Sequence, residues 1–310
     1  MHRANRYASL FLLATLTACG ASEPANSDDD VETSATPLLE DIRPNGRRAG
    51  TVHNPPAPPA GRRSGSNGIT YHGGPVMLGT VNFYYIWYGD WSGNTAPTIL
   101  GDFASNLGGS RYWNINTTYT DSNQARPTNA SRLAGSTTVS YPQGTSLTDS
   151  AVASVVSNAI GSGALPRDPS GIYFVITSAD VDESSGFCRT YCAWHGHASM
   201  GGTDVKYAFI GNPDRCPSAC AWQNVGPNGN AGADAMASLI AHEADEAVTD
   251  PDLNAWYDTR GYENADKCAW TFGTTYTANG ALANIHLGSR DFLIQRNWVN
   301  ASGGSCAMAY

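Results

Sequence analysis

The stretch Leu239-Ile240-Ala241-His242-Glu243-Ala244-Asp245-Glu246-Ala247-Val248-Thr249-Asp250-Pro251 constrains everything else in this chain. The run from Ala231 to Ile240 is alanine-rich and apolar and predicts a helix. Pro251 ends it, because a proline forces the preceding residue out of the α region. On that helix His242 and Glu246 stand four residues apart and project from one face, with Glu243 one position round. A His-Glu-x-x-His helix is the zinc-hydrolase arrangement, with two metal ligands and the glutamate as general base. Here a glutamate replaces the second histidine, and carboxylate oxygen is an ordinary zinc ligand. The bland alternative is a surface helix of solvated charges. It fits poorly, because the helix is apolar around the pair and Glu243, Asp245, Glu246 and Asp250 repel one another without a cation.

A catalytic zinc site takes a third protein ligand and leaves one place for water. Asp250 is badly placed, since eight residues of helix rise about 12 Å and zinc ligands sit about 2 Å from the metal. Gly261-Tyr262-Glu263-Asn264-Ala265-Asp266-Lys267-Cys268 offers Glu263, which we favour, and Asp266, with Cys268 to tie the segment down. His195 and His197, in Cys192-Ala193-Trp194-His195-Gly196-His197, stay open as nitrogen donors. The expected ion is zinc. Calcium suits the site less, because histidine is a poor ligand for a hard cation.

The N-terminus reads as targeting, over residues 1–18. Arg3 and Arg6 precede the short apolar run Ala8–Leu16, too short to span a bilayer. Leu16-Thr17-Ala18-Cys19 then resembles a bacterial lipobox, which would make Cys19 a lipidated first residue; an ordinary signal peptide cut nearby is the alternative. Residues 19–66 form a polar, proline-rich tether without periodic apolar pattern, as in Pro55-Pro56-Ala57-Pro58-Pro59. Residues 67–310 are long enough for one sizeable domain.

Within that domain Thr80–Tyr88 and Gly171–Thr177 read as buried strands, and Tyr112–Thr120, Arg132–Tyr141 and Asp204–Gly211 as further ones. Pro97–Leu107 has helical spacing, and Thr148-Asp149 caps a helix to about Ile160 with Val152, Val155, Val156 and Ala159 inward. Strands alternating with helices predict an α/β or α+β sandwich on a mixed sheet. Of the seven cysteines, setting Cys19 aside leaves Cys188, Cys192, Cys216, Cys220, Cys268 and Cys306. In an exported chain these predict three disulfides. The spacing suggests Cys188–Cys192, Cys216–Cys220 and Cys268–Cys306; a thiolate zinc knot is the rival reading. A net charge of −9 argues against nucleic acid or anionic lipid as the main partner. A lipid anchor at Cys19 is then the one expected route to a membrane. The Tyr- and Trp-rich surface leaves cell-wall glycan as a candidate partner beside a peptide substrate.

With these residues in hand, the domain resembles the EXORDIUM or phosphate-induced-protein family of extracellular proteins. The resemblance runs through Tyr71-His72-Gly73-Gly74-Pro75, Ile86-Trp87-Tyr88-Gly89, Gly171–Thr177, Gly186-Phe187-Cys188, Cys192-Ala193-Trp194-His195-Gly196, Cys216-Pro217-Ser218-Ala219-Cys220-Ala221-Trp222 and Gly226-Pro227-Asn228-Gly229. It implies export and a fold, with no settled activity. The His242-Glu243-x-x-Glu246 helix and the Glu263-x-x-Asp266-Lys267-Cys268 sequel look instead like a zincin-like set of uncharacterised bacterial exported proteins. The resulting expectation is a single zincin-like domain acting as an exported zinc-dependent hydrolase, a metallopeptidase in its simplest form. His242 and Glu246 with Glu263 or Asp266 would hold the ion, and Glu243 would activate its water. The alternative is a non-catalytic cell-envelope protein that binds glycan or a partner and keeps a structural metal.

Overall fold

A computed structural model describes residues 68–310 of the chain. The expected signal segment, the tether and Cys19 lie outside the described residues. The frame is a five-stranded mixed sheet built from β1 (Val81–Tyr88), β2 (Ser131–Val139), β3 (Gly171–Thr177), β4 (Ala193–Met200) and β5 (Thr203–Ile210). Across the sheet the order is β2-β1-β3-β5-β4; every neighbouring pair is parallel except β4, which runs antiparallel to β5 along one edge. The mixed α/β architecture of the sequence reading is the observed one.

Local chemistry accounts for these elements. Every residue of β3 is buried, which a continuous apolar run permits only where both sheet faces are covered. Gly201 and Gly202, both at positive φ, make the two-residue turn that folds β4 back on β5. Two adjacent positive-φ residues are what a primed hairpin turn demands. Helix α1 (Ala96–Leu107) packs on β2, and α2 (Asp149–Gly161) starts where the Thr148 hydroxyl accepts from the Ala151 N–H. Helix α3 (Ala231–Thr249) is capped by Asn230, whose side chain accepts from the Ala233 N–H at 3.0 Å. It lies against α1, β3, β4 and β5. Nearly every side chain of α3 is buried, acids included.

Two expectations fail. Tyr112–Thr120 is no strand: residues Trp113–Thr118 form a 3₁₀ helix. The hydroxyls of Thr117 and Thr118 fold back onto the carbonyls of Asn114 and Ile115, a local bond that competes with a strand ladder. The disulfide pairing also differs. Cys188 bonds Cys216 and Cys192 bonds Cys220, with Cα separations of 5.8 and 5.5 Å, while Cys268–Cys306 is as expected. The two Cys-x-x-x-Cys segments lie side by side, so each cysteine meets its partner across the gap. In the short helix Pro217–Cys220 that follows Cys216, the local pair comes near without bonding, its sulfurs 3.6 Å apart.

Candidate metal centre

The centre is assembled by three pieces of chain. The first is α3, which presents His242, Glu243 and Glu246. Past its end Asp250 turns the chain: its Oδ1 accepts from the N–H groups of Asn254 and Ala255, both at 2.5 Å. That is what the sequence could not assign to Asp250, a turn-building role rather than a ligand role. The second piece is the returning segment. Asp258 accepts from the Arg260 and Tyr262 N–H groups and pairs with Lys267 at 3.0 Å, which sets the bend. Asp266 then caps its own loop by accepting from the Glu263 N–H, and its backbone N–H donates to Glu246 Oε1 at 3.0 Å. Cys268 fixes this segment to the C-terminal region through Cys306. The third piece is edge strand β4, in which His195 stands opposite Ala208 of β5 and reaches the helix.

The donor atoms form two groups. His242 Nε2 lies 3.1 Å from Glu246 Oε1 and 3.5 Å from Asp266 Oδ1. His195 Nδ1 lies 3.4 Å from both Glu243 Oε2 and Glu246 Oε2. Four of these side chains are at most 2% exposed (His195, His242, Glu243 and Glu246), and Asp266 is 9%. Ligands about 2.0–2.1 Å from a tetrahedral zinc stand about 3.3–3.4 Å from one another. Three of the four spacings exceed the usual 2.7–3.2 Å of an N–H···O bond and match the edge of such a tetrahedron. Each group can therefore surround one ion with little rearrangement.

The expected ligands separate on this geometry. Asp266 joins His242 and Glu246. Glu263, favoured from sequence, instead faces the other ring nitrogen of His195, its Oε2 3.8 Å from Nε2. A metal-bound histidine commonly finds an orienting carboxylate in that position. His197 stands apart, near the surface, paired with Asp204 at 2.9 Å; Lys206 bonds both Asp204 and Asp252 there. Lys206 already supplies the cation for that cluster. His195 was held open from sequence as a nitrogen donor for this site beside His197, and the fold brings it, a strand residue 48 positions from Glu243, to the helix.

The charges of these groups act on one another. Burial alone would push the His242 imidazolium down, but Glu246, Asp266 and Glu243 outweigh it and raise its pKa well above the usual value. Burial would likewise raise Glu246, yet His242 and His195 hold it well below the carboxylate range. Glu243 and Asp266 are raised, first by burial and then by Glu246, against the histidines that lower them. Asp245 lies behind the centre, bonded by Asn116 Nδ2 at 2.7 Å, and burial pushes it up to about 7.

A fold with a buried histidine–carboxylate cluster under a mixed sheet defines a class, and comparison with known proteins gives the family. The model of the phosphate-induced protein 1 conserved region matches residues 69–285. EXORDIUM-like 5 of Arabidopsis thaliana is 30% identical over 307 aligned positions, covering 80% of this chain and 82% of the relative. EXORDIUM-like 3 of the same plant is 32% identical over 271, covering 74% and 80%. The chain belongs to the phosphate-induced protein 1, or EXORDIUM-like, family. No solved structure matches it. The three disulfides accord with an extracellular or secreted protein, and among the described residues no helix is long and apolar enough to cross a membrane.

Proposed function

We propose that this chain is an exported metal-binding protein whose buried centre holds a divalent cation, zinc by its donor set, on His242, Glu246 and Asp266. The observation that carries the reading is that Glu246 Oε1 and Asp266 Oδ1 stand 3.1 and 3.5 Å from His242 Nε2, close to the size of a zinc coordination edge, among buried side chains. Burying carboxylates and imidazoles in contact is costly unless the charges are matched. The ion would bind the returning segment at Asp266 to α3, as a structural metal does, in a protein of the cell envelope carrying a lipid on Cys19 or released outside. Cell-wall glycan or another envelope component is the partner class for this version.

A second reading, a zinc hydrolase acting on peptides, is favoured by Glu243, which neighbours His242 on the helix and lies among the same donors. Zinc supplies a water of lowered pKa and polarises a carbonyl when bound. Glu243 would take the proton from that water, and burial already raises its pKa in the direction a general base requires. Its 1% exposure means the covering segment has to open for substrate. One experiment separates the two. The full-length chain and Glu243→Gln are loaded with zinc and assayed on a peptide library, with and without chelator. Chelator-sensitive cleavage lost in Glu243→Gln supports the hydrolase; bound zinc, a chelator-sensitive melting temperature and no cleavage support the structural centre. A wild type that takes up no zinc contradicts both.

A further inference from the structure

We propose that the centre has two cation positions, bridged by Glu246. This rests on the metal-binding reading above and deepens it. The donors resolve into two triads, His242–Glu246–Asp266 and His195–Glu243–Glu246, and Glu246 is their one common member. Its two oxygens face different ways. Oε1 points to His242 at 3.1 Å and Oε2 to His195 at 3.4 Å. A carboxylate so placed is the standard bridge of two-metal sites, in which the ions stand about 3.5–4 Å apart.

A second observation points the same way. Glu246 is fully buried, and its Oε2 makes no close hydrogen bond; what faces it is His195 Nδ1, an ion-pair contact at 3.4 Å. A buried carboxylate oxygen left this way costs free energy, and a cation between Glu246, Glu243 and His195 removes the cost. Charge agrees. The two triads hold three carboxylates, Glu243, Glu246 and Asp266, one more negative charge than a single divalent cation offsets. Glu263, at 3.8 Å from the far nitrogen of His195, is placed to orient that imidazole toward the second ion.

The test is metal stoichiometry on the full-length chain, dialysed against zinc at low micromolar concentration and measured by plasma emission. Two zinc ions per chain are expected, falling to one in His195→Asn, to one in Asp266→Asn, and to fewer than one in Glu246→Gln. Because a variant can fail to fold, the wild type loaded with cobalt(II) gives an independent reading. Spin coupling between two bridged ions should weaken the low-temperature paramagnetic signal several-fold per cobalt relative to His195→Asn. One zinc in the wild type that survives in His195→Asn would overturn the second position and leave the single centre standing. A single zinc lost in both His195→Asn and Asp266→Asn would overturn it too. No zinc at all would overturn the metal-binding reading itself.

Discussion

Two of the places where the described chain buries carboxylates treat them differently. At the centre on α3, Glu243, Glu246 and Asp266 face imidazoles at 3.1–3.5 Å. At the other, Glu183 is fully buried, and its Oε2 accepts from the Ser185 N–H at 3.0 Å, the Ser185 hydroxyl at 2.9 Å and the Tyr191 hydroxyl. The Ser185 Oγ also lies 2.7 Å from Asp149 Oδ1. Neutral donors pack around Glu183 closely enough for hydrogen bonds and leave it no cationic partner among those contacts. Burial, with Asp149 adding to it and Tyr191 opposing, pushes its pKa up to about 7. The first arrangement sets carboxylates against imidazoles, and the second surrounds a carboxylate with neutral donors.

Removing a partner at the two places should have unequal effects. The largest is expected at Glu246. In Glu246→Ala, two imidazoles lose their common carboxylate, and removing one partner of a buried ion pair costs about 3–5 kcal/mol. Chemical denaturation should read that loss, together with loss of bound zinc. If Glu246→Ala retained wild-type stability in metal-free buffer and in zinc, the centre would not be under the tension described.

Next come the disulfides. Cys268–Cys306 closes its loop alone, over 38 residues, so Cys306→Ser with Cys268→Ser should cost about 4 kcal/mol. Cys192–Cys220 closes a loop that Cys188–Cys216 has already closed, so its removal should cost less, about 2–3 kcal/mol. Equal losses in the two double variants would show that the side-by-side pair does not act as one crosslink.

The smallest effect is expected at Glu183 itself. Its folded pKa lies above the ordinary 4.5 of a glutamate. The protonated form therefore contributes stability below about pH 4.5, and that contribution is lost as pH rises through about 7. Glu183→Gln, neutral at every pH, should match the wild type near pH 4.5 and exceed it above pH 7 by on the order of 1 kcal/mol. Melting temperatures across that range check the sign, and a variant less stable at pH 8 than the wild type would place a cation partner at Glu183 after all. Zinc binding at α3 should run the other way, strengthening as pH rises, because its imidazoles must lose their protons to bind.

Much of the fold was legible because it is local. The apolar runs of β1 and β3, the Thr148 cap and the Pro251 stop each act within a few residues, and all fall where the sequence places them. What escaped depends on register. The crossing of Cys188 to Cys216 and Cys192 to Cys220 needs two loops to lie alongside each other, and spacing alone favours the nearer partner. The site divides in the same way. His242 and Glu246 are one helix turn apart, so their face was visible. Asp266 and Glu263, three residues apart on one loop, could not be told apart until the Asp258 bend directed Asp266 to His242 and Glu263 to His195. Strand β4 lacks a long apolar run, so its pairing with β5 was not foreseen, and His195 and His197 could not be told apart as donors. Glu183 gave no signal at all, since its partners Ser185, Tyr191 and Asp149 form no motif.

The most direct measurement is a zinc-edge anomalous difference map from crystals of the full-length chain grown with zinc. A peak about 2 Å from His242 Nε2, Glu246 and Asp266 is the predicted result. Saturating zinc with no peak among these side chains, in crystals where Glu246 keeps its place between the two histidines, would contradict a metal centre on α3.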